Sequence, residues 1–278
     1  MKLSIAVSSL LIACALAACG QSQQNAQQSA TPAVPDENPA VPAPAAAPAA
    51  DTAAIQAALS NPNRLTGDAE EDAWRKAPEV LSFLNVQPGM HVIDYLSGGG
   101  YYSELLASIV GPQGQVIAYN NPAYAKYAGE KVALRYVDNR LPNVTQITSP
   151  PEQLDLPPNS LDAALFVQSY HDLHWISKDW TPTDPAQSLA KLVPALKSGA
   201  VVVVVDHVAN AGEDPAKTVD ALHRIDPAVV KREFEAAGLV FDAESPMFSN
   251  TADDHSKVVF DPSIRHQTDQ FVYRFRKP

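Results

Sequence analysis

Five consecutive valines, Val201 to Val205, constrain this chain more than any other feature. A strand that is apolar at every position has no face to offer water, so it must be covered on both sides, as in the centre of a parallel sheet. A second such run, Leu161 to Val167, precedes it. Elsewhere, short apolar runs alternate with amphipathic stretches, the pattern of a sheet with helices on both faces. The sequence predicts strands at 91–95, 115–119, 144–148, 161–167, 200–205, 239–245 and 270–275. It predicts helices at 101–110, 123–134, 184–196 and from Asp226 to Gly238, with helical lead-in segments at 51–59 and 68–84. In the last strand Phe271, Tyr273 and Phe275 are expected inward, and Val272, Arg274 and Arg276 outward. The fold class is α/β: a doubly wound, mostly parallel, seven-stranded Rossmann-like sheet.

The first residues point to export. Met1-Lys2 is a basic start, and Leu3 to Ala18 is uncharged, small and apolar, too short to remain as a membrane span. It runs into Leu16-Ala17-Ala18-Cys19-Gly20, which resembles a bacterial lipobox, where the chain is cut before a cysteine that takes the lipid. Residues 1–18 thus read as a lipoprotein signal peptide and Cys19 as the lipidation site. Residues 19–50 read as the lipidated Cys and a disordered Pro/Ala/Gln-rich tether, extending about 3.1 Å per residue where proline-rich. Residues 51–278 read as the single folded domain. Gly20 after the cysteine resembles lipoproteins sent to the outer membrane, so the expected location is the periplasmic side of the envelope, with the membrane reached through the lipid. Cys14 and Cys19 are the only cysteines, so the folded part has no disulfide, thiol nucleophile or thiolate ligand. A net charge of −11 argues against nucleic acid as a partner.

Ligands in such sheets sit beyond the carboxyl ends of the strands, where strand order reverses. Asp94 to Gly100 follows the first strand, and Asn120-Asn121 the second. Gln168 to Trp175 follows the fourth, and Asp206-His207 the fifth. The titratable residues gather at this rim. Gly98-Gly99-Gly100 lets the backbone approach a ligand, with helix N–H groups behind it. A triphosphate loop lacks its Gly-Lys-Ser/Thr ending. A dinucleotide loop lacks its third glycine, which is Ser103 here, and a hydrolase elbow lacks its first, which is Tyr95.

Val92 to Leu106, with Asp94, Gly98 and Gly100, resembles the first motif of the class I S-adenosylmethionine-dependent methyltransferases. Leu96 stands where the motif has its first glycine, and Asn120 where the family has its ribose-binding acid. Pro150 stands where an adenine-side Asp is common, with Glu152 close behind, and Leu161 to Phe166 resembles the fourth-strand motif. The resemblance is closest to an uncharacterised group of exported predicted methyltransferases. These share Gly-Gly-Gly-Tyr-Tyr-Ser-Glu, the His-Asp after strand four, the His-Arg-Ile-Asp at 223–226 and the Thr-Asp-x-Phe-Val at 268–272. It implies S-adenosylmethionine as cofactor, held by Asp94, Ser97, Gly98, Gly99, Gly100, Asn120, Glu152 and Gln168, and a small-molecule methyl acceptor.

His171, Asp172 and His174 lie where this fold places its acceptor and are the catalytic candidates, with a neutral imidazole as the expected base. Tyr170 and Trp175 are expected to wall the pocket. Two other readings stay open. One is a non-catalytic ligand-binding lipoprotein on the same fold. The other is a metal-using enzyme at His171, His174 and His207; no resident metal is expected on the first reading. His223 and Asp226 read as structural, and Asp253, Asp254 and His255 as a solvated turn.

Overall fold

The computed structural model describes residues 49–176 and 183–278, so the signal segment, Cys19 and nearly all of the expected tether lie outside the described residues. Seven strands form one sheet in the order β3-β2-β1-β4-β5-β7-β6. Here β1 is His91–Tyr95, β2 Gln115–Asn120, β3 Val144–Thr148, β4 Leu161–Val167, β5 Leu196–His207, β6 Val240–Glu244 and β7 Gln270–Arg276. The first five are parallel, and β7 is antiparallel to both β5 and β6. Val202 to Val205 are completely buried, as an all-apolar strand requires.

The helices are α1 (Thr52–Leu59), α2 (Asp68–Arg75), α3 (Ala77–Leu84), α4 (Tyr101–Val110), α5 (Pro122–Arg135), α6 (Pro185–Ala195), α7 (Pro215–Leu222) and α8 (Pro227–Ala236). On one face, Ile55, Leu81, Leu84, Leu105 and Ile109 from α1, α3 and α4 pack against Val92, Leu165 and Val203. On the other, Leu189, Leu192 and Phe234 from α6 and α8 pack against Ile93, Phe166 and Val204. Fully burying a side chain of this size contributes about 1.5–3 kcal/mol, so the two layers hold the sheet without any disulfide.

Four differences from the sequence expectations have local causes. The 68–84 segment is two helices, because Lys76 is left-handed (φ 44°) and Pro78 opens the second. β5 begins at Leu196 rather than 200, since Leu196 already pairs with Leu161. α7 was not anticipated, although Asp214-Pro215 is the same cap-and-proline signal as Asp226-Pro227. Val272 is buried rather than outward, because the layer containing Phe248 covers that face of β7. At the amino-terminal end of the parallel strands, the Gln87 side chain holds the Ala49 carbonyl at 2.8 Å.

Candidate active site

Strand order reverses between β1 and β4, so the ligand crevice of such sheets is expected at their carboxyl ends. The residue just past each strand is held in the left-handed region: Leu96 (φ 56°) after β1 and Gln168 (φ 53°) after β4. Neither is a residue that favours this conformation, and each costs of the order of 1–3 kcal/mol. Leu96 occupies the place of the motif's first glycine, so the backbone keeps the shape without the residue that makes it easy.

The turn after β1 is built from its backbone outward. Asp94 is buried and accepts from Ser103 Oγ at 2.6 Å, and burial pushes its carboxyl up to about 6 against that bond. The Ser97 hydroxyl is buried with no hydrogen-bond partner. Gly98 (φ 55°) faces the rim, where a side chain would meet the Tyr124 ring at 3.6 Å. The other two glycines make room for the protein itself. A Cβ at Gly99 would lie 3.0 Å from that of Lys131, and one at Gly100 would strike Tyr136 and Arg135. Arg135 donates to the Gly99 carbonyl and is itself held by Asp68 at 2.7 Å and by Glu104. Asn120 accepts from the Gly98 N–H at 2.9 Å and donates to the Gly98 carbonyl at 3.1 Å. Both ends of its amide brace the turn, which leaves one N–H and one lone pair for the ribose role that the resemblance implies for Asn120.

The histidine side of the crevice is a buried charge cluster. His171 Nδ1 lies 2.7 Å from Asp206 Oδ1, and the His171 N–H donates to Asp206 Oδ2 at 2.9 Å. On the other side of the ring, Nε2 lies 3.4 Å from Asp172 Oδ1. Burial alone would lower the imidazole pKa, but the charges of Asp206 and Asp172 overcome it and raise it to about 9. His171 is therefore protonated at neutral pH, not the neutral base expected from the sequence. Asp172 is raised by burial and by Asp206, against the pull of His171 and a hydrogen bond from Tyr124. Burial lowers His207 to about 3 and His223 to about 4, so both are neutral. His207 Nδ1 lies 2.9 Å from Thr268 Oγ1, while His223 Nδ1 is buried without a partner. The His223 ring lies edge-on to His171, Trp175 and Phe260.

The folded chain binds the His171 proton more tightly than the unfolded chain, whose imidazole has a pKa near 6.5, so the proton favours the folded state. That stability is fully present below about pH 6.5 and is lost as pH rises towards 9, by up to about 1.4 kcal/mol per pH unit. Asp206→Asn is expected to lower the His171 pKa and flatten this decline. Imidazole NMR titration reads the first effect and urea melts at several pH values the second; an unmoved His171 titration contradicts the assignment.

The remaining candidates scatter. Gln168 Nε2 donates to Gln270 at 3.1 Å, facing the His207 side of the rim. Glu152 is exposed on the short turn after β3. His174 Nε2 pairs with Glu233 at 3.1 Å, and the Tyr170 hydroxyl donates to the same carboxylate at 2.7 Å. Tyr170 is thus a core residue rather than a pocket wall, while Trp175 stands half-buried beside His223. With His174 turned to Glu233, the three histidines of the metal reading do not converge. Among the described residues no group of three His, Cys, Asp or Glu is arranged to hold an ion. Asp226 caps α8 by accepting from the Ala228 N–H at 2.8 Å. Asp253 is buried, not solvated, and pairs with Arg224 at 2.9 Å. Tyr124, Arg135 and Arg224 were missed by sequence reasoning. Each reaches across the fold, and only Arg224 lay inside a quoted motif.

No protein-family model matches the sequence, and no curated protein matches it. Solved structures do resemble it. A S-adenosylmethionine-dependent methyltransferase from Aquifex aeolicus is 22% identical with a TM-score of 0.50, covering 81% of this chain and 97% of its own. The [4+2]-cyclase SpnF is 17% identical with a TM-score of 0.55, covering 79% of this chain and 85% of its own. At these identities the likeness speaks for the fold alone, and the second neighbour is described as a cyclase. The described domain has a Rossmann-like methyltransferase fold, mostly parallel with an antiparallel end.

Proposed function

We propose that this domain is a S-adenosylmethionine-dependent methyltransferase acting on a small molecule. We propose further that it is carried outside the cytoplasm as a lipoprotein anchored through Cys19. The observation that carries the enzymatic reading is the pair of left-handed residues, Leu96 and Gln168, at the two lips of the β1/β4 crevice. Strain of this kind persists where surrounding structure imposes it, and it concentrates at ligand clamps. The residues present also fit the cofactor chemically. The partnerless Ser97 hydroxyl is an unspent polar group in the turn, beside a Gly98 that carries no side chain. When bound, the cofactor supplies a methyl group on a sulfonium.

The chain's own groups then have distinct tasks. Ser97 and Gly98 bind. Asp94, through Ser103, ties the strand end to α4. His171, protonated on both ring nitrogens and locked by Asp206, fixes the loop after β4 and takes up no further proton. His223, held neutral by burial and with Nδ1 unpaired, lies on the Trp175 side as an uncharged imidazole. A second reading, a binding module without turnover, is favoured by one observation: Asn120 commits half of its hydrogen-bonding capacity to bracing Gly98 and brings no charge to a ribose.

Binding decides between these readings and a bare scaffold. S-adenosylhomocysteine at 100 times its dissociation constant is expected to stabilise the chain by about 2.7 kcal/mol, read as a rise in melting temperature. No rise at millimolar ligand removes the donor site. A rise with no methyl transfer to any acceptor panel favours the binding module.

A further inference from the structure

We propose a second ligand site, for a small carboxylate, in a cavity between α1, α4 and the loops at 61–64 and 140–143. It is separate from the crevice and does not depend on the enzymatic reading.

The cavity holds about 220 Å³, far more than the roughly 10–15 Å³ that a single water needs. Ala58, Ala107 and Leu141 give it an apolar wall, and Arg64, Arg140 and Glu104 a charged one. Glu104 and Ala107 lie along α4, past the turn made by Gly98 to Gly100. The deciding group is Arg64, whose side chain is only 5% exposed. A guanidinium carries five N–H groups, and three of these are used. Nη1 donates to Asp72 Oδ2 at 2.7 Å and to the Leu59 carbonyl at 3.0 Å, and Nη2 donates to Asp72 Oδ1 at 2.6 Å. Asp72 thus takes the end of the fork. Nε is buried and has no partner. By covalent geometry, the Nε–H and the second N–H of Nη2 lie side by side along one edge of the guanidinium plane. Such an edge matches the two oxygens of a carboxylate in parallel. A buried donor left unmet is costly, and an acceptor delivered to it removes that cost.

The rest of the wall favours an anion. Arg140 takes both oxygens of Glu104 at 2.6 Å, and Arg135 takes Oε2 as well. The cavity therefore faces two guanidiniums and a single carboxylate that is already matched. Arg64 is held in place from the side, with the Tyr101 ring 5.6 Å from its guanidinium carbon and the Tyr101 hydroxyl donating to Asp72. A carboxylate on the open edge of Arg64 sets its carbon chain against Ala58, Ala107 and Leu141. A phosphate shares the fork geometry but has no carbon to offer that apolar wall.

Titration of the full chain with sodium propionate, followed through the arginine Nε–H signals by NMR, tests this. The Arg64 Nε–H, assigned through its own side-chain carbons, is expected to shift and saturate with a dissociation constant of about 1 mM, within the affinity bound for so small a molecule. Sodium chloride at equal ionic strength is expected to leave it in place, and sodium phosphate to bind roughly tenfold more weakly. Arg64→Lys keeps a cation for Asp72 and deletes the fork. Leu141→Glu leaves Arg64 and Asp72 alone and sets a fixed carboxylate in the cavity. Each is expected to weaken propionate by about tenfold or more, read as loss of the propionate-induced rise in melting temperature. If Arg64→Lys does not fold, the wild-type titration and Leu141→Glu decide. No saturable shift up to about 100 mM propionate overturns the proposal. An equal response to chloride overturns it as non-specific ion binding, and an equal response to phosphate overturns the choice of carboxylate. Propionate affinity unchanged in the variants places binding elsewhere and overturns the site.

Discussion

Arg135→Met is expected to lower the stability of the domain by about 3–5 kcal/mol, the usual loss when one partner of a buried ion pair is removed. The Arg135 side chain is only 1% exposed. It spans Asp68 on α2, Glu104 on α4 and the Gly99 carbonyl in the glycine turn. The three acceptors fare differently once it is gone. Glu104 keeps Arg140, bonded through both oxygens at 2.6 Å. Asp68 has no such substitute and is left as a buried carboxylate without its cation. Urea denaturation should show a lower midpoint with an unchanged slope. Adding Asp68→Leu to Arg135→Met should recover much of the loss, because replacing both partners by apolar groups removes the uncompensated charge. A single-mutant loss below about 1 kcal/mol would mean that the network is not a structural tie.

Arg224→Met is expected to cost a comparable 3–5 kcal/mol, with a different signature. Arg224 is completely buried. It pairs with a buried Asp253 and donates to two carbonyls, at Lys257 (2.9 Å) and Val208 (3.0 Å). Those contacts fasten the long connection between β6 and β7 to the end of β5. The loss should therefore be partly local, with amide hydrogen exchange rising first between residues 250 and 269, before global unfolding. Uniform acceleration across the sheet, with that connection still protected, would contradict this account.

The contrast between these two arginines shows what a single sequence exposes. The central strands β4 and β5 were legible because burial on both faces leaves an unbroken apolar run, as at Val201 to Val205. Caps were legible where Asp precedes Pro, as at Asp226. The rim itself was legible because titratable residues clustered after β1, β4 and β5. Partner choice was not. Arg135 closes a helix in the sequence, and nothing local says that it turns inward to Asp68, separated from it by 67 positions. Tyr124 reads as an ordinary helical aromatic, yet its ring packs over Gly98. The three glycines looked equivalent as a ligand cradle, but two of them exist to admit Lys131, Arg135 and Tyr136. The histidine most easily read as a base, His171, lies beside the carboxylate that prevents it. Asp206 sits at the far end of another strand, so its effect on that ring is visible only once β4 and β5 pair.

The bond from Gln87 to the Ala49 carbonyl fastens the chain's point of entry near the start of β1, the opposite pole from the crevice. Any pull transmitted from upstream residues is therefore received at the floor of the sheet. The mouth between Leu96 and Gln168 lies at the other end of the same strands.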